Sequence, residues 1–265
     1  RSDLPQGRIE AVAIVYDDKE NAIGASRTFV DSLEPRQSAD IVFTWPAAFQ
    51  GTETMCRVEN TDVVIGEQQE AIGVVLALDR SGSMQSEGRN PPQPLTNVKK
   101  AAVDFLKQLQ GSDQVGVVSF ADMASEPVDA SPSADYEVAQ KAIEDIAIAT
   151  PGTQYTNLGD AIEKASADLV SPAFANLTRR VVVLLTDGIA TKPEKVGDPT
   201  YPSTYAFAQA TAAKQKGVEL YIVGLGKDVN AELLKGMATT PEHYFPAATT
   251  KDLATIYNRI ALQIC

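Results

Sequence analysis

The chain has 265 residues, with 35 acidic against 23 basic side chains and a formal net charge of -12. Hydrophobic residues make up 44% and charged residues 22%, so the chain can bury a sizeable core and is neither a disordered tail nor, with two cysteines, a miniature disulfide scaffold. The acid excess argues against a nucleic-acid partner, no apolar run reaches the ~18 residues of a membrane helix, and the lone His243 removes most multi-histidine metal sites and argues against triad chemistry.

The chain opens Arg1-Ser2-Asp3-Leu4-Pro5 without an initiator Met or an apolar leader, as expected of a processed product or an excised fragment. Residues 9–16 form an apolar, β-branched run closed by the turn-forming stretch Asp17-Asp18-Lys19-Glu20-Asn21. A second strand is expected at 23–30, before Leu33-Glu34-Pro35-Arg36. A third follows at 41–45, stopped by Pro46, and a short fourth at 55–58 or 63–65. This spacing predicts an antiparallel, sandwich-like β-rich accessory segment over 1–68. Four strands with one Trp make a small core. The segment therefore packs on the following domain, or it ends a larger sandwich, in resemblance to the last strands of fibronectin-type or bacterial surface modules.

From Ile72 the pattern alternates. Residues 74–78 are a continuous apolar strand of the kind buried on both faces of a parallel sheet. A helix is expected over 95–110, with its stripe at Val98, Ala102, Phe105, Leu106 and Leu109 and its end at Gly111. Strands follow at 115–120, 181–185 and 218–223, and helices at 136–148, 158–169, 205–216, 231–237 and 253–264. Residues 90–94 read as a loop. The alternation predicts an α/β fold over 69–265: a doubly wound, mostly parallel sheet flanked by helices, Rossmann-like in plan.

Ligands of such sheets bind beyond the carboxyl ends of the strands. Asp79-Arg80-Ser81-Gly82-Ser83-Met84 follows the first of these strands, and Thr186-Asp187-Gly188 follows 181–185. Between them, opening the helix at 158, lies Gly152-Thr153-Gln154-Tyr155-Thr156-Asn157. If the strands before these loops lie side by side, two carboxylates and several hydroxyls converge with no thiolate or imidazole. That all-oxygen set suits Mg2+, Mn2+ or Ca2+ and suits zinc or copper poorly. Gly82 and Gly188 are expected to let the backbone turn tightly around the ion.

Asp79-x-Ser81-x-Ser83 after one strand, Thr156 on a middle loop and Asp187 after a later strand resemble the metal-ion-dependent adhesion site of von Willebrand factor type A domains, particularly bacterial ones. Phe120, the run Tyr221-Ile222-Val223-Gly224-Leu225-Gly226, and Tyr244-Phe245 with Leu253, Ile256 and Tyr257 extend the likeness over 72–265. The resemblance implies that the hydroxyls of Ser81 and Ser83 bind the ion directly. Thr156 would bind it directly or through water, and Asp79 and Asp187 would supply negative charge, at least one of them through water. A position left to exchangeable water would accept an Asp or Glu carboxylate of a partner protein, with Arg80, Tyr155 and Gly188 as a rim around it. The implied role is a non-enzymatic adhesion or interaction module, outside the cell or on its surface. An intracellular assembly partner of an ATPase or chelatase machine, and a pilus or stalk component with a vestigial site, are the alternatives. The family's two glycines before the threonine are here replaced by Gln154 and Tyr155.

By the same resemblance, Cys56 and Cys265 come near one pole and can pair, a link of roughly 5 kcal/mol at most that implies an oxidising compartment; two free thiols are the alternative. Gly224-Leu225-Gly226-Lys227 lacks the third glycine of a nucleotide fingerprint and reads as a strand ending in a turn. Asn176-Leu177-Thr178 is a glycosylation sequon, relevant in a eukaryotic secretory pathway.

Overall fold

The computed structural model describes residues 9–16, 22–30, 55–59, 71–109 and 112–264. The strand expected at 41–45, the alternative at 63–65, Gly111, Cys265 and the Cys56 side chain, and with them the cysteine pairing, lie outside the described residues. The chain divides into two compact units, Arg1–Glu70 and Ala71–Cys265.

In the first unit, β1 (Ile9–Tyr16), β2 (Ala22–Val30) and β3 (Met55–Glu59) form one antiparallel sheet in the order β2-β1-β3. Ile9 lies opposite Val30 and Val12 opposite Glu59, with a bulge between Val15 and Tyr16.

The second unit begins with β4 (Ile72–Asp79), whose eight residues are all buried. A two-stranded ribbon, β5 (Gly88–Arg89) and β6 (Pro92–Gln93), occupies the stretch expected as a loop. Then follow α1 (Leu95–Leu106), β7 (Gln114–Phe120), β8 (Ala130–Ser133), α2 (Tyr136–Asp145), α3 (Leu158–Leu169) and β9 (Arg179–Thr186). The chain continues through α4 (Tyr201–Gln215), β10 (Val218–Leu225), α5 (Ala231–Met237), β11 (Tyr244–Ala247) and α6 (Leu253–Ile264). The sheet order is β11-β10-β9-β4-β7-β8, parallel throughout except for β8, which runs antiparallel to β7. This is the doubly wound, helix-flanked sheet that the alternation predicts.

Strand geometry explains why β4 is apolar without a break. Successive side chains point to opposite faces, and both faces are covered. Val74, Leu76 and Leu78 pack in a core with Phe105 of α1, Ile143 of α2 and Tyr257 of α6. Val75 and Ala77 pack in the other core with Leu158 and Ile162 of α3 and Ala206 of α4. His243, the lone histidine, stacks on Tyr221 with ring centroids 4.0 Å apart.

The differences from expectation are local. Helix α2 ends at Asp145 because Ile146 leaves it with an extended backbone, yet Ile146 and Ala149 stay buried, so hydrophobicity continued past the helix. Helix α1 likewise ends at Leu106, while Leu109 remains buried beyond it. Helix α4 starts at Tyr201 rather than 205, with Pro202 in its first turn, where a missing N–H costs nothing. The edge strands β8 and β11 escape an apolar-run reading because each has four residues and contains a proline, Pro132 or Pro246.

Close packing of α3 on α4 depends on Gly159. A Cβ at this position would overlap the Tyr205 ring and lie 3.3 Å from the Ala206 Cα. Gly159→Ala is therefore expected to lower stability by about 1–2 kcal/mol in urea unfolding, despite alanine's better helix propensity. Combining it with Tyr205→Ala should recover part of that loss in a double-mutant cycle.

Candidate metal centre

Strand order places a crevice where the chain reverses direction across the sheet. From β4 it moves to β7 and β8 on one side, then returns to β9 on the other. Open α/β sheets bind ligands outside the carboxyl ends of strands at such a switch point. Leu78 pairs with Leu185, so Asp79 ends one strand beside Thr186 ending the other.

Asp79 is completely buried, and both of its oxygens are engaged. Oδ1 accepts the Ser81 N–H at 2.8 Å, and Oδ2 accepts the Thr186 hydroxyl at 2.6 Å. Beyond Ser81 the chain enters a 3-10 turn, Gly82–Gln85, pinned by the buried Met84 side chain. The turn brings the Ser83 Oγ within 3.0 Å of the Ser81 Oγ, and the Ser83 hydroxyl donates to Asp187 Oδ1 at 2.6 Å.

Thr156 arrives on the connection before α3, which backbone bonds stitch to its neighbours. The Ala149 N–H donates to the Arg80 carbonyl, the Gly82 N–H to the Gln154 carbonyl, and the Asn157 N–H to the Ala121 carbonyl. On the far side, the Thr156 N–H donates to Thr191 Oγ1 at 2.9 Å, and the Thr156 carbonyl accepts from the Thr191 and Lys192 N–H groups. A Cβ on Gly188 would lie 3.5 Å from Thr156 Oγ1 and 3.7 Å from Ser83 Oγ, so both hydroxyls border Gly188.

Asp79, Ser81, Ser83, Thr156, Asp187 and Gly188 thus line one crevice. The rim candidates behave differently from one another. Tyr155 is exposed, and the Lys192 ammonium sits 4.3 Å from its ring centroid. Arg80 contributes backbone bonds on both sides, and its Nε is buried with no hydrogen-bond partner among the described residues.

Gly82 opens the 3-10 turn and Gly188 lies in the bend after β9, both without positive φ; among the described residues, the glycines with positive φ are Gly152, Gly197, Gly217 and Gly226. Gly82 also serves close approach, since a Cβ there would lie 3.1 Å from the Gln154 Cβ. That contact gives Gln154, which stands where the family has glycine, a structural role. Its carbonyl takes the Gly82 N–H, and its side-chain amide donates to the Ala149 carbonyl at 2.8 Å. Two participants escaped the sequence reading. Thr186 was visible at the end of its strand, but nothing marked it as the partner of Asp79. Thr191 lies five residues past that strand with no pattern around it.

The electrostatics define what the crevice can hold. Burial, reinforced by the neighbouring Asp187 charge, pushes Asp79 up to about 7, against the pull of the Thr186 and Ser81 hydrogen bonds. Burial also raises Asp187, the Ser83 hydroxyl opposes this, and Asp228 and Glu87 add to the rise. Neither carboxylate belongs to an ion pair of the described residues. No cluster of three or more His, Cys, Asp or Glu of metal-binding type occurs among the described residues. The donor set is two carboxylates plus hydroxyls, all oxygen, with uncompensated negative charge. It fits a hard divalent cation.

Asp79 also sets a pH dependence. Its pKa is higher folded than the ordinary carboxylate value, so its contribution to stability is present below about pH 4 and lost as pH rises to about 7. Without divalent ions, the melting temperature is expected to fall across that range, in EDTA-treated protein followed by circular dichroism. Asp79→Asn should flatten this component.

The family model of the von Willebrand factor type A domain matches residues 73–259. No curated protein matches the chain at a significant level. Among solved structures, the vWF domain of the type V pili tip protein Mfa5 from Porphyromonas gingivalis aligns with a TM-score of 0.59 and 15% identity, over 73% of this chain and 95% of that one. A mutant of the PilB minor pilin from Streptococcus sanguinis aligns over 97% of this chain and 78% of its own, with a TM-score of 0.59 and 17% identity. Proximal thread matrix protein 1 from the mussel byssus, with a zinc-occupied MIDAS motif, aligns with a TM-score of 0.58 and 19% identity over 74% of this chain. The chain spans about half the length of that mussel protein, 48%. At these identities the likeness is one of fold, and the family match carries the assignment: the chain belongs to the von Willebrand factor type A domain family.

Proposed function

We propose that the chain is a metal-dependent adhesion module that binds an acidic side chain of a partner protein at the β4–β9 crevice. The observation that carries this reading is the convergence of Asp79 and Asp187 with the Ser81, Ser83 and Thr156 hydroxyls, with no ion pair among the described residues to offset the charge. Ser81, Ser83, Thr156 and Asp187 would hold Mg2+, Mn2+ or Ca2+. Both Asp79 oxygens are already accepting hydrogen bonds, so Asp79 contributes charge and orients the Ser81 turn. The bound cation would supply an electrophilic position for the partner's carboxylate. Thr186 and Thr191 keep the strand end and the Thr156 loop in place.

The role is binding. His243 has Tyr221, Glu219, Glu242 and Arg179 for neighbours, and so makes no base for a hydroxyl in the crevice. The pilus and byssus neighbours support a surface or extracellular setting. No helix among the described residues is long and apolar enough to cross a membrane.

Calorimetric titration with Mg2+ and Mn2+ tests the reading. Binding is expected in the wild type, and Asp187→Asn should weaken it by about 10–100-fold, as loss of a metal-supporting group does. Ser83→Ala, at an exposed position, should weaken binding without changing the far-ultraviolet circular dichroism. Mg2+ at ~100 times its Kd should stabilise the fold by about 2.7 kcal/mol, and EDTA should remove this gain. Undiminished metal affinity in both variants would sink the proposal.

A further inference from the structure

Thr156 reaches the crevice on the connection before α3, whereas Asp79, Ser81, Ser83 and Asp187 follow the ends of β4 and β9. Its place therefore depends on what its loop is tied to, and one residue supplies two of the ties. The Lys192 N–H donates to the Thr156 carbonyl at 3.2 Å. The Lys192 ammonium lies 4.3 Å from the ring centroid of Tyr155, the residue just before Thr156. Glu194 Oε1 accepts from that ammonium at 2.8 Å and so fixes it. The Tyr155 ring is 43% exposed, so packing alone does not hold it; the cation over its face does.

The same loop is tied to the serine turn on its other side. Gly82, between Ser81 and Ser83, donates its N–H to the Gln154 carbonyl at 3.2 Å. Residues 154, 155 and 156 are thus each held from outside their own loop, and the separation of the threonine from the serines is set before any ion arrives. The serine hydroxyl oxygens already stand 3.0 Å apart. In an octahedron with oxygens ~2.0–2.1 Å from Mg2+, neighbouring oxygens are about 2.8–3.0 Å apart. With oxygens ~2.3–2.6 Å from Ca2+, the same edge is about 3.3–3.7 Å, and Ca2+ favours flexible sites that can supply six to eight oxygens.

We propose that Tyr155 and Lys192 are positioning residues that select Mg2+ over Ca2+ by holding Thr156 against outward movement. The inference rests on the metal-dependent reading of the crevice, and it names the ion and the residues that choose it. A larger ion must spread the hydroxyls, and the Lys192 clasp and the Gly82–Gln154 bond resist this together. Charge has a different effect: an ammonium near the crevice opposes both ions alike, and Glu194 offsets it. The ratio of the two affinities therefore reads position, whereas either affinity alone would also read charge.

The test measures Mg2+ and Ca2+ affinity of the whole chain by calorimetric titration. The wild type is expected to favour Mg2+ by about tenfold or more. Tyr155→Gly and Lys192→Met should each bring the two affinities within about twofold, since losing a supporting group costs about tenfold for the ion it favours. Ca2+ binding should survive in both variants. Tyr155→Phe keeps the ring under the ammonium and should retain the preference. A wild type that binds both ions equally, or a ratio unchanged in Tyr155→Gly and Lys192→Met, would overturn the proposal and leave the metal centre standing. Parallel loss of both ions would also overturn it, by marking a merely structural role. Loss of the preference in Tyr155→Phe as complete as in Tyr155→Gly would remove the ring from the mechanism. No divalent binding by the wild type would overturn the metal reading beneath it.

Discussion

A carboxylate with no exposure to water, Asp79, is the constraint around which the second unit is arranged. An ionised group in that position is costly unless hydrogen bonds and opposite charge surround it. The fold supplies the hydrogen bonds from two directions, the Ser81 N–H in the following turn and the Thr186 hydroxyl on the adjacent strand. The second bond also fixes where β9 ends relative to β4, because it joins residues 107 positions apart in sequence. No ion pair among the described residues supplies opposite charge, and burial, reinforced by the Asp187 carboxylate, raises the Asp79 pKa. Geometry, electrostatics and sheet register point to the same place in the molecule.

The loops around this carboxylate are held chiefly by backbone bonds, which leaves their side chains available. The connection before α3 is tied to the Asp79 turn through Arg80 and Gly82, to the end of β7 through Ala121, and to the loop after β9 through Thr191. Such cross-bracing orders the hydroxyls of Ser83 and Thr156 in advance, so little conformational entropy remains to be lost on binding. Asn157 completes the brace: its side chain caps α3 by accepting the Asp160 N–H and donates to the Asp122 carbonyl. One helix start thus anchors two of the converging loops.

Much of this was legible in the sequence, for a physical reason. Central parallel strands are buried on both faces, so β4, β7, β9 and β10 are written as continuous apolar runs, and the polar residues that end them stand out. The Asp79, Ser81, Ser83 and Asp187 group could be read because each member lies within a few residues of such a run. Thr191 could not, since its role is set by a loop crossing that no periodicity records. The edge strands β8 and β11 were hidden because half-covered strands need little apolar sequence. The end of α2 was hidden because Ile146 and Ala149 are buried in the extended chain as fully as they would be in a helix. The close approach at Gly82 was equally hidden: a Cβ there would crowd Gln154, a neighbour from another loop that no local pattern records.

The prolines of the edge strands have a consequence for how such units can sit beside one another. Each outer strand of the six-stranded sheet is four residues long and interrupted by a residue with no N–H, Pro132 in β8 and Pro246 in β11. A neighbouring chain seeking to continue the hydrogen-bonded ladder would find a short template with a missing donor. Zippering of one copy onto the next through main-chain bonds is thereby discouraged even at high local density. Recognition is left to side chains and to whatever the crevice holds, where a specific partner can be told from a merely adjacent one.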